Sequence, residues 1–288
     1  MLKEFLAAWQ PLRQSGGRSR LAVRKPSHST RRIRFDTLEE RRLLAVLPVT
    51  TAADSGPGSL REAIQTANTL ADVDQIQFAI PGTGVQSIAL LSALPNLLQP
   101  VIIDGSTQPG YAGQPLIELN GASAGTVSGL TLAAGGTTIR GLAINRFAFA
   151  GIDIISDGNI IVANYLGTNP AGTAGLGNQD YGVYIDGSSQ NTIGGTTVAD
   201  RNLISGNDIS GVYIDGVEST QNVVQGNYIG CDVLGLVALP NAFEGVEIFN
   251  GSNNLVGGTA VGAGNVISGN DFDGVTVSGP AATVNRIV

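Results

Sequence analysis

Apolar residues in this chain come in pairs separated by one polar residue, and the pairs recur. G-V-Y-I at 182 and 211, G-V-E-I at 245, G-V-T-V at 274 and G-I-D-I at 151 each put two β-branched residues on one side of an extended segment. Two further apolar bursts follow each pair. One set is N-T-I-G-G (191), N-V-V-Q-G (222), N-L-V-G-G (254) and N-I-I-V-A (159). The other is N-L-I-S-G-N (202), N-Y-I-G (227), N-V-I-S-G-N (265) and N-Y-L-G (164). Short β-branched bursts bounded by Gly or Asn predict strands and tight turns, not helices.

The order of the bursts is itself periodic. Residues 182–225 align without a gap on 245–288, with 20 identities in 44 positions, a period of 63 residues. Coils counted from the first burst begin at 151, 182, 211, 245 and 274, and two coils make one period. Their lengths alternate because insertions alternate: TTVADR (196–201) and TAVGAG (259–264) precede the third burst, while 168–181 and 231–244 follow it. Three short strands per coil predict an all-β solenoid, a single-stranded parallel β-helix, with the clearest repeats over 151–288.

Strand parity assigns the two faces. Val183/Ile185, Val212/Ile214, Val246/Ile248 and Val275/Val277 are expected inside, stacked at about 4.8 Å per coil. Asn191, Asn222, Asn254 and Asn285 share that parity and predict an asparagine ladder at a bend. Each coil is expected to bury roughly six aliphatic side chains, at about 1.5–3 kcal/mol each. That is less than the backbone entropy of ordering it, about 1–2 kcal/mol per residue, so coils must stack to be stable.

Upstream, Ser59 and Glu62 have capping-box spacing, and Leu60, Ile64 and Ala67 give one apolar face. This predicts a short helix over about 59–68 that covers the open end of the first coil. The runs 75–80, 87–91, 100–105 and 116–119 are then expected to begin the solenoid. Composition divides the chain in two. Residues 1–46 carry 11 of the 16 Lys and Arg against 4 of the 23 acids, and read as a disordered basic leader. Residues 47–288 hold five Arg, no Lys and 19 acids, which sets nucleic acid aside as a partner. No run reaches the ~20 apolar residues of a membrane span. With one His and one Cys the chain has no tetrahedral zinc set, and Cys231 is expected to be a small apolar filler.

The N-L-I-S-G-N, N-V-I-S-G-N, N-T-I-G-G and G-V-Y-I-D-G motifs resemble right-handed parallel β-helix proteins of the pectin-lyase-like class over about 48–288. Residues 49–80 resemble the CSLREA-type segment that opens many such proteins, with Gly58 in place of its cysteine. L-E-E-R-R-L-L-A (38–45) is similar to the LEPR-XLL motif of large bacterial surface and exported proteins, with Glu40 where that motif has Pro. These resemblances imply a right-handed helix and an extracellular or cell-surface location. Similar lyases use calcium-binding acids and a basic residue, and similar hydrolases use clustered aspartates. No catalytic motif of either kind carries over to a position in this chain, and no Arg falls in the acidic column.

Chemistry is expected on the outward positions of the first strand. One column reads Asp153, Tyr184, Tyr213, Glu247, Thr276, and the next Ile155, Asp186, Asp215, Phe249, Ser278. Stacked Tyr184 and Tyr213 beside carboxylates suit a sugar ring, whose C–H face packs on an aromatic while its hydroxyls donate to acids. The same stack would also merely tie coil to coil. The Asp186/Asp215 pair, about 5 Å apart, suggests a raised pKa or a bound calcium ion. The reading is therefore a non-catalytic surface module, structural, adhesive or polysaccharide-binding, with a polysaccharide lyase or glycoside hydrolase acting on an acidic glycan as the alternative. The chain stops within a coil at N-R-I-V (285–288). That edge is expected either to continue in a longer protein or to pair end to end with another chain.

Overall fold

A computed structural model describes residues 44–288. Residues 1–43, which hold nearly all of the basic leader and most of the LEPR-XLL-like segment, lie outside the described residues. The described residues hold 22 strands and one α-helix. Every ladder is parallel, and the strands fall into three sheets of nine, seven and six, called A, B and C here. From Val101 onward the chain visits A, B and C in strict rotation, so each sheet gains one strand per turn. This is a parallel β-helix. The three recurrent bursts fall one to each sheet: G-V-Y-I in C, N-T-I-G-G in A and N-L-I-S-G-N in B.

Of the four inward pairs expected from parity, three are fully buried, while in the last Val275 is partly buried and Val277 is 40% exposed. Val183, Ile185, Val212, Ile214, Val246 and Ile248 have no exposed surface. The count of buried aliphatics differs between coils: the coil that opens at 151 buries six, Ile152, Ile154, Ile161, Val162, Ala163 and Leu166. The coil that opens at 211 fully buries four strand aliphatics, Val212, Ile214, Val224 and Ile229, rather than six. The remaining corners hold amides. Asn159 donates through Nδ2 to Asn191 Oδ1 at 2.9 Å, and Asn191 to Asn222 at 3.1 Å. Asn222 and Asn254 continue the column by donating backbone N–H groups to Asn254 and Asn285 Oδ1.

Two more ladders were not foreseen. Asn164, Asn202, Asn227 and Asn265 form one, and Asn178, Asn207, Asn241 and Asn270 the other. In the middle of a ladder every polar atom is used. Asn202 donates to Asn227 Oδ1 and to the Ile161 carbonyl, while its Oδ1 accepts from Asn164 Nδ2 and the Asn164 backbone. Satisfying all of these removes the desolvation penalty of a buried amide.

The N-terminal end is built differently from the prediction. Val46–Val49 already forms a strand of sheet A, paired in register with Asp74–Phe78. Between these two strands, where B and C strands would otherwise stand, the chain makes the helix Leu60–Ala67. Leu60, Ala63, Ile64 and Ala67 enter the main core and close its end. Ser59 caps the helix by accepting from the Glu62 N–H, and Glu62 Oε2 accepts from Gly58 N–H at 2.6 Å, one residue earlier than a standard capping box. Arg61 ties the helix down. It pairs with Asp54 at 2.6 Å and donates to the Ser92 and Ala93 carbonyls. Gly58, where the resembling motif has cysteine, sits at φ +77°, and a Cβ there would press on the Thr50 hydroxyl.

The longer insertions, 168–181 and 231–244, become small hairpins beside the solenoid, closed by antiparallel bridges at Thr168/Gly175 and Cys231/Ala238, while 196–201 forms the 3-10 turn Val198–Asp200. Cys231 is a buried free thiol, and burial raises its pKa.

Candidate functional site

The outward face of sheet C carries the predicted columns. Asp153 pairs with Tyr184, Tyr184 with Tyr213, Tyr213 with Glu247 and Glu247 with Thr276, so five predicted positions form one unbroken row. Asp186 and Asp215 are also direct partners. The second column breaks there, because Asp215 bridges Asn250 in antiparallel sense rather than Phe249.

Around this row the structure adds residues that strand parity could not supply. Tyr181 comes from the end of the 168–181 insertion and stacks on both Tyr184 and Tyr213, at centroid distances of 5.3 and 4.8 Å. Tyr184 and Tyr213 lie 5.5 Å apart and within 10° of parallel. Phe149 closes the group edge-on, 5.6 Å from Tyr184 and 6.2 Å from Tyr181. In backbone terms Phe149 begins a second row along the turn. Asp180, Ile209, Phe243 and Phe272 each donate an N–H to the carbonyl of the residue before. Phe243 and Phe272 stack at 5.1 Å. The aromatic rings beside sheet C thus form two groups, the Phe149/Tyr181/Tyr184/Tyr213 cluster over about two coil steps, roughly 10 Å, and the Phe243/Phe272 pair further along.

Carboxylates flank the rings. Tyr184 donates its hydroxyl to Asp215 Oδ2 at 3.4 Å. Ser210 donates to both Glu244 and Glu247, at 3.2 and 3.3 Å, which brings in Glu244 as a further acid. Burial, then the neighbouring Glu244, holds the Glu247 carboxyl above its ordinary range. Asp153 is raised to about 6, first by burial and then by Asp186. Tyr181 is pushed up to about 12 by burial and by Asp180, and burial likewise raises Tyr184 and Tyr213, so all three hydroxyls stay protonated donors at neutral pH. Asp153 and Phe149 also border a cleft of about 420 Å³ between the loops that hold Asn96 and Val127.

The calcium expectation rested on Asp186 and Asp215. Among the described residues no group of three or more His, Cys, Asp or Glu side chains is arranged to hold a metal ion. Among them, too, no helix is long and apolar enough to cross a membrane. The arrangement offers aromatic rings, protonated hydroxyl donors and carboxylate acceptors on one open strip. No protein-family model and no curated protein matches the chain.

Proposed function

We propose that this protein is a secreted or cell-surface β-helix module that binds polysaccharide without turning it over. The observation that carries this reading is the strip of Phe149, Tyr181, Tyr184 and Tyr213 flanked by Asp153, Asp186, Asp215 and Glu247. Aromatic edges and faces pack on sugar C–H groups, and carboxylates and tyrosyl hydroxyls exchange hydrogen bonds with sugar hydroxyls. A rigid row of rings about 10 Å long, two coil steps, suits a glycan segment lying along the solenoid axis. The N-L-I-S-G-N and S-L-R-E-A segments support kinship with pectin-lyase-like exported proteins, and L-E-E-R-R-L-L-A supports export. Fold kinship alone would allow an adhesin or a spacer equally.

One observation favours a catalytic alternative. Asp153 borders a cleft and carries a raised pKa, while Asp186 lies one rung across and two residues along, a diagonal of roughly 7–8 Å in ordinary sheet geometry. Two carboxyls at such a spacing, one of them with a raised pKa, are what glycoside hydrolysis uses. The full chain, incubated with neutral and acidic polysaccharides in calcium or chelator, separates the readings. Retention without products, lost in Tyr184→Ala/Tyr213→Ala, is the expected result. New reducing ends or unsaturated products would establish an enzyme, and loss of retention in chelator would reinstate the Asp186/Asp215 cation. No retention on any polysaccharide would leave a structural surface protein.

A further inference from the structure

A second concavity, of about 590 Å³, lies over the outer face of sheet B rather than sheet C. Its floor is a row of three ladder partners, Tyr165, Leu203 and Tyr228. Tyr165 and Leu203 form an apolar cluster outside the main core, with Tyr228 and Val233 packed on it. The walls come from the alternating insertions: Val198 and Ala199 from 196–201, and Val233 from 231–244. The 63-residue alternation thus builds a recess that a uniform repeat would lack.

The chemistry of this recess differs from that of the strip. The body has only five Arg and no Lys, yet two of the five, Arg140 and Arg201, border it. Arg140 is partly neutralised by Asp104 at 3.6 Å. The ion pairs found among the described residues are Arg140–Asp104 and Arg61–Asp54, and Arg201 belongs to neither. Arg201 is instead held in place by neutral partners. Its guanidinium lies 4.0 Å from the centre of the Tyr228 ring, and its Nε donates to the Gly226 carbonyl at 3.2 Å. Those contacts use one face and one N–H of the group, leaving the terminal nitrogens free to donate. Tyr111 and Tyr165 add hydroxyls at the rim, and Gln114 adds an amide.

We infer that this recess binds a small organic anion with an aromatic body, whose charged group meets Arg201 and whose rings lie over Leu203 between Tyr165 and Val233. A fixed guanidinium without a carboxylate partner is an anion site already in position. A recess of this volume, lined mostly by hydrocarbon and tyrosine, has the size and character of a small-molecule site. A glycan, hydroxyl-rich throughout, would leave most of its polar groups against Leu203, Val233, Val198 and Ala199 without partners. Nucleic acid draws its affinity from many phosphate contacts, and the two arginines that border the recess, one of them paired with Asp104, supply too few.

The test is a titration of the full chain with 2-naphthoate and with its neutral analogue 2-naphthamide, followed by ligand fluorescence. The expected result is saturable one-site binding of naphthoate, at least tenfold tighter than naphthamide. Arg201→Gln should abolish that preference. Ala199→Trp, a change in the exposed 3-10 turn Val198–Asp200 that fills the recess and keeps the arginine, should abolish binding of both. Circular dichroism confirms that each variant retains its β signal. Absence of saturable binding, equal affinity for the two probes, a preference surviving in Arg201→Gln, or binding surviving in Ala199→Trp would each overturn the inference.

Discussion

Tyr181 lies closer to Tyr213, one coil further on, than to Tyr184 in the strand it leads into: 4.8 Å against 5.3 Å between ring centres. A residue that belongs to an insertion therefore locks two successive rungs of sheet C together. Each aromatic pair adds about 0.5–1.5 kcal/mol beyond its burial, and Tyr181 makes three such pairs, with Phe149, Tyr184 and Tyr213. Tyr181→Ala should cost about 2–4 kcal/mol in urea denaturation. It should also weaken polysaccharide retention as much as Tyr213→Ala does. Retention that survives the loss of Tyr181 would mean that the strip is a structural clasp and not a binding face.

The ladders give a second prediction. Asn222 Oδ1 accepts from both the backbone and the side chain of Asn191, and Asn222 Nδ2 donates to the Ser188 carbonyl. Asn222→Ala strands two buried donors and one buried acceptor, each costing about 1–3 kcal/mol. A loss of about 3–5 kcal/mol is expected, larger than for Ile→Val at the neighbouring Ile214, about 0.5–1.5 kcal/mol. If the order were reversed, the amides would be filling space rather than specifying the stacking register.

These residues also explain what was legible in the sequence. Parity along a strand is rigid, so Val183/Ile185 inside and Tyr184/Asp186 outside could be read directly, and with them the rows from Asp153 to Thr276. Parity ends where a strand ends. Phe149, Tyr181 and Glu244 sit in turns whose course depends on insertion length, and nothing local marks them as neighbours of Tyr184 and Tyr213. The asparagines of N-L-I-S-G-N and N-Y-I-G were visible as strand boundaries, but a turn asparagine and a ladder asparagine look alike until the next coil is in place. The shortfall from six buried aliphatics in the coil at 211 has the same origin, since buried amides occupy corners that hydrophobicity alone assigns to Ile or Val. Val46–Val49 escaped because its partner lies beyond the helix and Pro48 weakens the strand pattern.

The raised Asp153 carboxyl makes stability depend on pH. Its folded pKa is about 6 against an ordinary value of 3.8. Between those values the folded chain holds a proton that the unfolded chain releases, so stability falls as pH rises from about 4 to about 6 and stays at the lower level above. Asp153→Asn removes this dependence. Measured in urea at pH 4 and pH 7, the variant should gain on the wild type at the higher pH by on the order of 1–2 kcal/mol, after allowance for solvent screening at a half-buried site. A difference that stays constant with pH would show that Asp153 ionises as an ordinary surface aspartate, and would remove the observation that favours a hydrolase.

Gly58 tests how closely the opening segment follows the motif it resembles. Its φ of +77° is a left-handed conformation, its N–H binds Glu62 and its carbonyl accepts from Thr50. Restoring the motif's cysteine would place a Cβ against the Thr50 hydroxyl, which can rotate away, and would impose left-handed strain, which cannot be relieved without losing those bonds. Gly58→Cys and Gly58→Ala should therefore cost the same, about 1–2 kcal/mol. Gly58→Asn should cost less, because asparagine tolerates this region. Parallel urea titrations of the three variants decide the point. A neutral Gly58→Cys would mean that the turn relaxes to negative φ, and that the cap gains its stability from Arg61 and the apolar face of the helix rather than from the geometry at residue 58.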